Sequence, residues 1–251
     1  MIKDDVSVGG NKSRLDKALV SRRMVVSRSQ AESAIKLGAV KVNGEVCRKT
    51  GLPVRASDKI TLLMPEQYVS RAGLKLASVA QVLDISFDKK IVLDVGSSTG
   101  GFTDYALQHG AALVIAVDVG TDQLHPSLRG DKRIELHEQT DIRQFTKPAH
   151  AIDIVLIDVS FISLRDVLPA IMHLSDMKTQ IVAMVKPQFE SRTAQKHKGV
   201  IKNDAVRREV LKDFEQWAQQ YFLIQRKADS LVAGAHGNRE RFYVLKNLGK
   251  K

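Results

Sequence analysis

Residues 91–104 read "IVLDVGSSTGGFTD". The run 91–95 is apolar apart from Asp94, as in a parallel strand covered on both faces. Gly96, Gly100 and Gly101 then break the chain before an apolar stretch that begins with Phe102. A strand that passes through a glycine turn into a helix is where open α/β sheets take nucleotides. Two nucleotide motifs are incomplete here. The dinucleotide pattern G-x-G-x-x-G needs a second glycine where Ser98 stands. The phosphate loop G-x-x-x-x-G-K-[ST] has the spacing of Gly96 and Gly101, but Phe102 replaces its lysine.

The same alternation extends along the chain. "ALVIAVDVG" (112–120), "RIELHE" (133–138), "DIVLIDVS" (153–160) and "QIVAMVKP" (180–187) read as strands. "GFTDYALQHG", "SLRDVLPAIMHL" and "DAVRREVLKDFEQWAQQ" carry helical periodicity between or after them. Strands alternating with helices predict an α/β fold, a Rossmann-like doubly wound sheet. "YFLIQRKADS" and "RFYVLKN" read as a late antiparallel pair.

A third ligand fits the loop better than the first two. S-adenosylmethionine has no phosphates, so it needs no lysine in the turn. It needs glycines that let the backbone approach its amino-acid end, and an acid after the second strand for its ribose hydroxyls. Asp94, Gly96, Ser97, Gly100, Gly101 and Phe102 supply the first region, and Asp118 in "AVDVG" supplies the acid. Asp141 in "EQTDIR" follows the third strand and is placed to meet the adenine amino group. All of these fall at carboxyl ends of strands, where such sheets bind ligands.

Two more strands end in charge. "IVAMV" (181–185) runs into Lys186 and Pro187, and "VLI" (155–157) runs into Asp158. A buried strand usually exits through Gly, Asn or Asp; an ammonium and a carboxylate at neighbouring strand ends point to a crevice with chemistry in it. Lys75 in "SRAGLKL" and Glu240 in "GAHGNRERF" are further candidates for the same place.

Charge divides the chain unevenly. The net charge is +11 over 251 residues, yet residues 1–60 hold 13 Lys and Arg against 6 Asp and Glu. Such a concentration suggests a polyanion. In residues 13–63, Leu15, Ala18 and Leu19 share one helical face. Ser29 and Glu32 have capping-box spacing before a second helix that Gly38 stops. Asn43-Gly44 marks a hairpin, and "DKITLL" is a further strand. Arg14, Lys17, Arg22, Arg23, Arg28 and Lys36 lie on or near the helices and are the candidate contacts for such a polyanion. This gives three segments: a basic α+β domain over 1–63, a linker over 64–70, and the sheet domain over 71–251. The lone Cys47 excludes an internal disulfide and leaves zinc without a ligand set; no metal is expected. The N-terminus lacks the apolar core of a signal peptide and no apolar run is long enough to span a bilayer, so a cytoplasmic monomer is expected.

The segment "RLDKALV…SRSQAESAIKLGAVKVNGE" resembles the RNA-binding module of ribosomal small-subunit protein four. "SRAGLKL", "LDVGSSTGGFTD", "VDVG", "IDVSFISL", "VKPQFE" and "GNRE" resemble the TlyA (hemolysin A) family of ribosomal RNA methyltransferases, whose catalytic domain is similar to the FtsJ-type ribose 2′-O-methyltransferases. The resemblance runs from about residue 13 to 247. It implies methyl transfer from S-adenosylmethionine to ribosomal RNA or a ribosomal subunit, at the 2′-oxygen of cytidine. It maps a Lys-Asp-Lys-Glu tetrad onto Lys75, Asp158, Lys186 and Glu240. The implied roles are Lys186 as general base, Lys75 on the 2′-oxygen, Asp158 orienting Lys186, and Glu240 orienting a lysine or the ribose. The family often has Gly-Gly where Ala72-Gly73 stands, and Asn where Asp141 stands. Two other classes remain: a non-catalytic RNA-binding protein, disfavoured by the intact glycines and Lys186, and a membrane-active hemolysin, disfavoured by the missing apolar span.

Overall fold

The computed structural model describes residues 12–25, 28–36, 38–62, 68–191, 201, 203–234 and 237–249. The chain divides into two compact units, Met1–Gln67 and Tyr68–Lys251.

In the first unit, β1 (Ser13–Arg14) leads into α1 (Leu15–Ser21) and α2 (Arg28–Lys36). Then come β2 (Val40–Val42), β3 (Glu45–Val46), β4 (Pro53–Val54) and β5 (Ile60–Leu62). β2 lies between β3 and β5, antiparallel to both, and β1 pairs with β4. Leu15, Ala18, Leu19, Ala31, Ile35, Val40 and Val54 form one small core. The Asn43-Gly44 hairpin joins β2 to β3, with positive φ at both positions, as a type I′ turn requires. Ser29, expected as the cap of the second helix, falls inside α2, which already includes Arg28. Arg28 Nε donates to buried Asp16 Oδ2 at 2.9 Å and ties this turn of α2 to α1.

The second unit begins inside the segment expected to be a linker. Residues 64–67 lie outside the described residues, but Tyr68 is buried, with its ring 5.3 Å from that of Tyr105, and Ser70 caps the next helix. The elements run α3 (Arg71–Ala80), β6 (Ile91–Val95), α4 (Gly101–Gln108), β7 (Leu113–Val117), β8 (Ile134–His137), β9 (Ile154–Ile157) and α5 (Leu164–Leu174). They continue with β10 (Gln180–Val185), α6 (Pro187–Glu190), α7 (Asp204–Ala218), β11 (Phe222–Asp229) and β12 (Arg241–Asn247). The seven-stranded sheet has the order β11-β12-β10-β9-β6-β7-β8. The five strands β8, β7, β6, β9 and β10 are parallel, and β12 runs antiparallel between β10 and β11.

The central strands are almost wholly apolar because both faces are covered. Leu76, Val79, Phe102 and Ala106 of α3 and α4 pack with Val92, Val114, Leu156 and Val182. Leu164, Leu168, Leu211 and Phe214 of α5 and α7 pack with Leu93, Ile115, Val155 and Ile181. Each such side chain contributes about 1.5–3 kcal/mol on burial. The strand order reverses between β6 and β9: the chain winds outward from β6 through β7 to β8, then returns to β9 on β6's other side. That reversal opens a crevice at the carboxyl ends of the two central strands, where doubly wound sheets bind ligands.

Candidate active site

The crevice is built from the ends of β6 and β9. Gly96 ends β6 with φ +79°, and a Cβ there would stand 2.7 Å from the Asp158 carbonyl oxygen that ends β9. Only glycine meets both demands. The chain then turns through Ser97–Gly100 into α4. Gly101 is equally constrained, since a Cβ there would collide with Ser70 Oγ and stand 2.8 Å from Ala72 Cβ. This close crossing lays the start of α3, at Ser70–Gly73, against the first residue of α4.

Asp118, just past β7, organises the loop. Its carboxylate accepts from Ser98 N at 2.8 Å and Gly120 N at 2.7 Å. A carboxylate has about four lone-pair directions, so it retains acceptors toward the cavity beside it. That cavity has a volume of 470 Å³ and is lined by Gly96, Ser98, Asp118, Asp141, Asp158 and Phe161 among others. Asp141 is present in its wall but is engaged: it caps the 3₁₀ turn at residues 142–144 and pairs with Arg143 Nη2 at 2.5 Å. The Arg143 guanidinium holds its carboxyl below the usual range.

A second hollow of 160 Å³ shares Gly96, Ser98, Asp158 and Ser160 with the first and reaches Asp94, Ser97, Phe102 and Lys186. Two polar atoms in its wall, Asp94 Oδ1 and Ser97 Oγ, are buried with no hydrogen-bond partner among the described residues. Asp94 is fully buried, and Thr103 Oγ1 donates to its other oxygen at 2.6 Å. Burial pushes its carboxyl up to about 7, against the pull of that hydrogen bond. An orphaned carboxylate oxygen and a hydroxyl at the glycine end suit an ammonium and a carboxylate, the two groups of an amino acid.

Beside this hollow lie two lysine–carboxylate pairs. Lys186 Nζ is 2.6 Å from Asp158 Oδ1, with side chains 9% and 15% exposed. Lys75 Nζ is 2.6 Å from Glu240 Oε2, with side chains 11% and 3% exposed. The pairs act on each other: burial raises the Glu240 carboxyl, Lys75 counters it, and Asp158 and Lys186 contribute further. Four distant segments therefore meet at one place. Pro187 is the first residue of α6, so the chain leaves the sheet through a helical turn immediately after Lys186.

Sequence reasoning missed three partners. Ser160 Oγ accepts from Lys186 Nζ at 2.7 Å, Thr103 holds Asp94, and Arg143 holds Asp141. Each is a common residue type, two to 26 positions from its partner, with no motif to single it out. Of the six basic candidates in the first unit, all are exposed. Three already serve the fold: Arg14 and Arg28 grip Asp16, and Arg22 donates to the carbonyls of Arg55, Ala56 and Asp58. Lys17, Arg23 and Lys36 point outward from the same unit.

A methyltransferase sheet preceded by a small basic α+β unit is the class that this arrangement defines. The chain belongs to the FtsJ-like methyltransferase family, which it matches over residues 68–248, and residues 13–60 match the S4 domain. It is 37% identical to the 23S rRNA (cytidine-2′-O)-methyltransferase TlyA of Campylobacter jejuni, over 91% of this chain and 98% of that one. It is 38% identical to the 16S/23S rRNA (cytidine-2′-O)-methyltransferase TlyA of Mycobacterium tuberculosis, over 77% of this chain and 74% of that one. A solved structure from Streptococcus thermophilus, described as a hemolysin, superposes with a TM-score of 0.70 at 35% identity, covering 95% of this chain and 90% of that one. Among the described residues, no helix is long and apolar enough to cross a membrane.

Proposed function

We propose that the protein is an S-adenosylmethionine-dependent ribose 2′-O-methyltransferase acting on cytidine in ribosomal RNA. The observation that carries this reading is the meeting of the Lys186–Asp158 and Lys75–Glu240 pairs beside a glycine-lined crevice. When bound, the donor supplies an electrophilic methyl group on a sulfonium. Asp118 would accept hydrogen bonds from its ribose hydroxyls, and Asp94 Oδ1 and Ser97 Oγ would hold its amino-acid end. Asp141, already paired with Arg143, lies on the adenine side.

A ribose hydroxyl is a weak nucleophile until its proton is leaving. Lys186 Nζ is the acceptor for that proton, a role open to an amine and closed to a guanidinium. Asp158 and Ser160 hold the Lys186 amine in one orientation. Lys75, held by Glu240, donates to the 2′-oxygen and stabilises the charge developing there. General-base help of this kind is worth ~10²–10⁴-fold, and the held geometry adds to it. The first unit supplies RNA affinity through Lys17, Arg23, Lys36 and their neighbours, so binding weakens steeply with salt.

The test is transfer of a labelled methyl from S-adenosylmethionine to unmodified ribosomal subunits, with the modified nucleotide mapped. Label on a cytidine 2′-oxygen is the expected result. Label on a base, or on protein alone, contradicts the reading.

A further inference from the structure

Glu240 differs from Asp158 and Lys186, which sit at the ends of buried parallel strands. Glu240 sits at the end of the connection between β11 and β12, so something else must fix its carboxylate. Two features do so. The first is Gly234. A Cβ there would collide with Glu240 Oε1 and stand 3.1 Å from Glu240 Cδ. The backbone at this point is tied down: Gly234 N donates to Asn238 O at 2.9 Å, and Gly237 N donates to Gly234 O at 3.1 Å. An added methyl is therefore met by movement of the flexible Glu240 side chain, whose Oε2 holds Lys75.

The second is Arg207 on α7, only 5% exposed. Its Nε donates to Arg239 O at 3.0 Å and its Nη2 donates to Asp229 Oδ1 at 2.6 Å. Asp229 faces Arg241 across the β11–β12 ladder and also accepts from Arg241 Nε at 2.6 Å. Burial works against ionisation of Asp229, but Arg241 and Arg207 together outweigh it and hold its carboxyl at about 2. One buried guanidinium thus ties together the two ends of the connection that leads into Glu240. Charge-assisted bonds of this geometry are the strong ones. Neither Gly234 nor Arg207 lines the crevice.

We propose that Gly234 and Arg207 are positioning residues for Glu240 and, through it, for Lys75. Gly234 leaves the space in which the carboxylate sits, and Arg207 clamps the chain that carries it. The inference rests on the tetrad reading given above. Misplacing a reacting group by about 1 Å costs ~10²-fold, and that is the loss expected in kcat for Gly234→Ala. Donor affinity and the KM for RNA stay within about twofold, because Asp118, Asp94 and the first unit are untouched. A milder loss follows Arg207→Lys, which keeps the charge but lacks the fork that holds Arg239 O and Asp229 together.

The experiment measures kcat, KM and donor Kd for the full-length protein with S-adenosylmethionine and unmodified ribosomal subunits. It compares Gly234→Ala, Arg207→Lys, Glu240→Gln and the double variant Gly234→Ala/Glu240→Gln. The expected pattern is a large kcat loss for Gly234→Ala alone and little further loss when it is added to Glu240→Gln. Equal losses in both backgrounds would mean that Gly234 acts on stability rather than through Glu240, and would overturn the proposal. So would an unchanged kcat for Gly234→Ala when Glu240→Gln is impaired. Wild-type turnover by Glu240→Gln is a separate result: it overturns the tetrad reading itself.

Discussion

Asp16 and Asp94 are both fully buried carboxylates, one in each unit, and their surroundings are opposite. Asp16 accepts from Arg14 Nε at 3.0 Å and from Arg28 Nε at 2.9 Å, and Arg14 above all holds its carboxyl at about 2. Asp94 has one hydroxyl donor, and burial lifts its carboxyl to about 7. A buried charge that the fold has already paired serves the architecture. One left half-paired in the wall of a cavity is waiting for a partner from outside. The same contrast separates Arg207, whose donors are used within the fold, from Lys186, which lines the crevice with Asp158 beside it.

The strongest challenge to this comparison is Asp118→Ala. It removes the anchor of Ser98 N and Gly120 N and, on the proposed reading, the acceptor for the donor's ribose hydroxyls. A loss of about 1.5–3 kcal/mol in donor affinity is expected, read by titration calorimetry. Unchanged affinity would remove Asp118 from the site and with it the reason for placing the donor along this crevice.

Asp94 gives the next effect, and its sign follows from its raised carboxyl. In the donor-free protein Asp94 is protonated well below pH 7 and ionises as pH rises through about 7. Its contribution to stability is fully present below the unfolded carboxylate range, about 4, and is lost as pH rises through about 7. Donor binding runs the other way. The ionised form pairs with an α-ammonium, which itself titrates near about 8, so affinity should peak between those values. Asp94→Asn should flatten the acid limb of that profile and raise the melting temperature at pH 8 relative to wild type. Calorimetry and thermal melts across pH 5.5–8.5 check both; a wild-type profile with no acid limb would mean that Asp94 meets no ammonium.

Asp16→Asn should have the smallest effect, about 1 kcal/mol of stability in the first unit, because its arginines are half exposed and solvent screens them. Its folded carboxyl is depressed, so the stabilisation is present above about 4 and is lost as pH falls through about 2. Donor affinity should not change. A change there would blur the distinction between the paired and the half-paired carboxylate.

The sheet was legible because its central strands are apolar on both faces and each runs directly into a glycine or a charged residue. Ile91–Val95 running into Gly96, and Val185 running into Lys186, are signals of composition and need no tertiary information. Asp158 and Asp118 were legible for the same reason. The spacing of Ser29 and Glu32 did not mark the first helical residue, because local spacing does not reveal that Arg28 meets Asp16, twelve residues earlier, and is already part of α2. The linker was misjudged at Tyr68 because a polar-flanked tyrosine gives no hint of the ring of Tyr105 that it meets. Ser160, Thr103 and Arg143 were invisible as site residues because hydroxyls and arginines are common and their roles depend on which atom they face. Glu240 rested on a short local pattern, and what holds it, Gly234 and Arg207, emerges only from contacts across the fold.

The central claim is that Lys186 takes the proton of the ribose hydroxyl. Single-turnover methylation of unmodified ribosomal subunits at saturating donor, with donor and RNA affinities measured in parallel, tests it in two variants. Lys186→Ala should lower the rate by ~10²–10⁴-fold with both affinities nearly unchanged, as expected for an interaction made only in the transition state. Lys186→Arg should fail almost as badly, because a guanidinium keeps the charge but stays protonated. Near-wild-type turnover by the arginine variant would contradict the account and leave Lys186 as a charge beside Asp158.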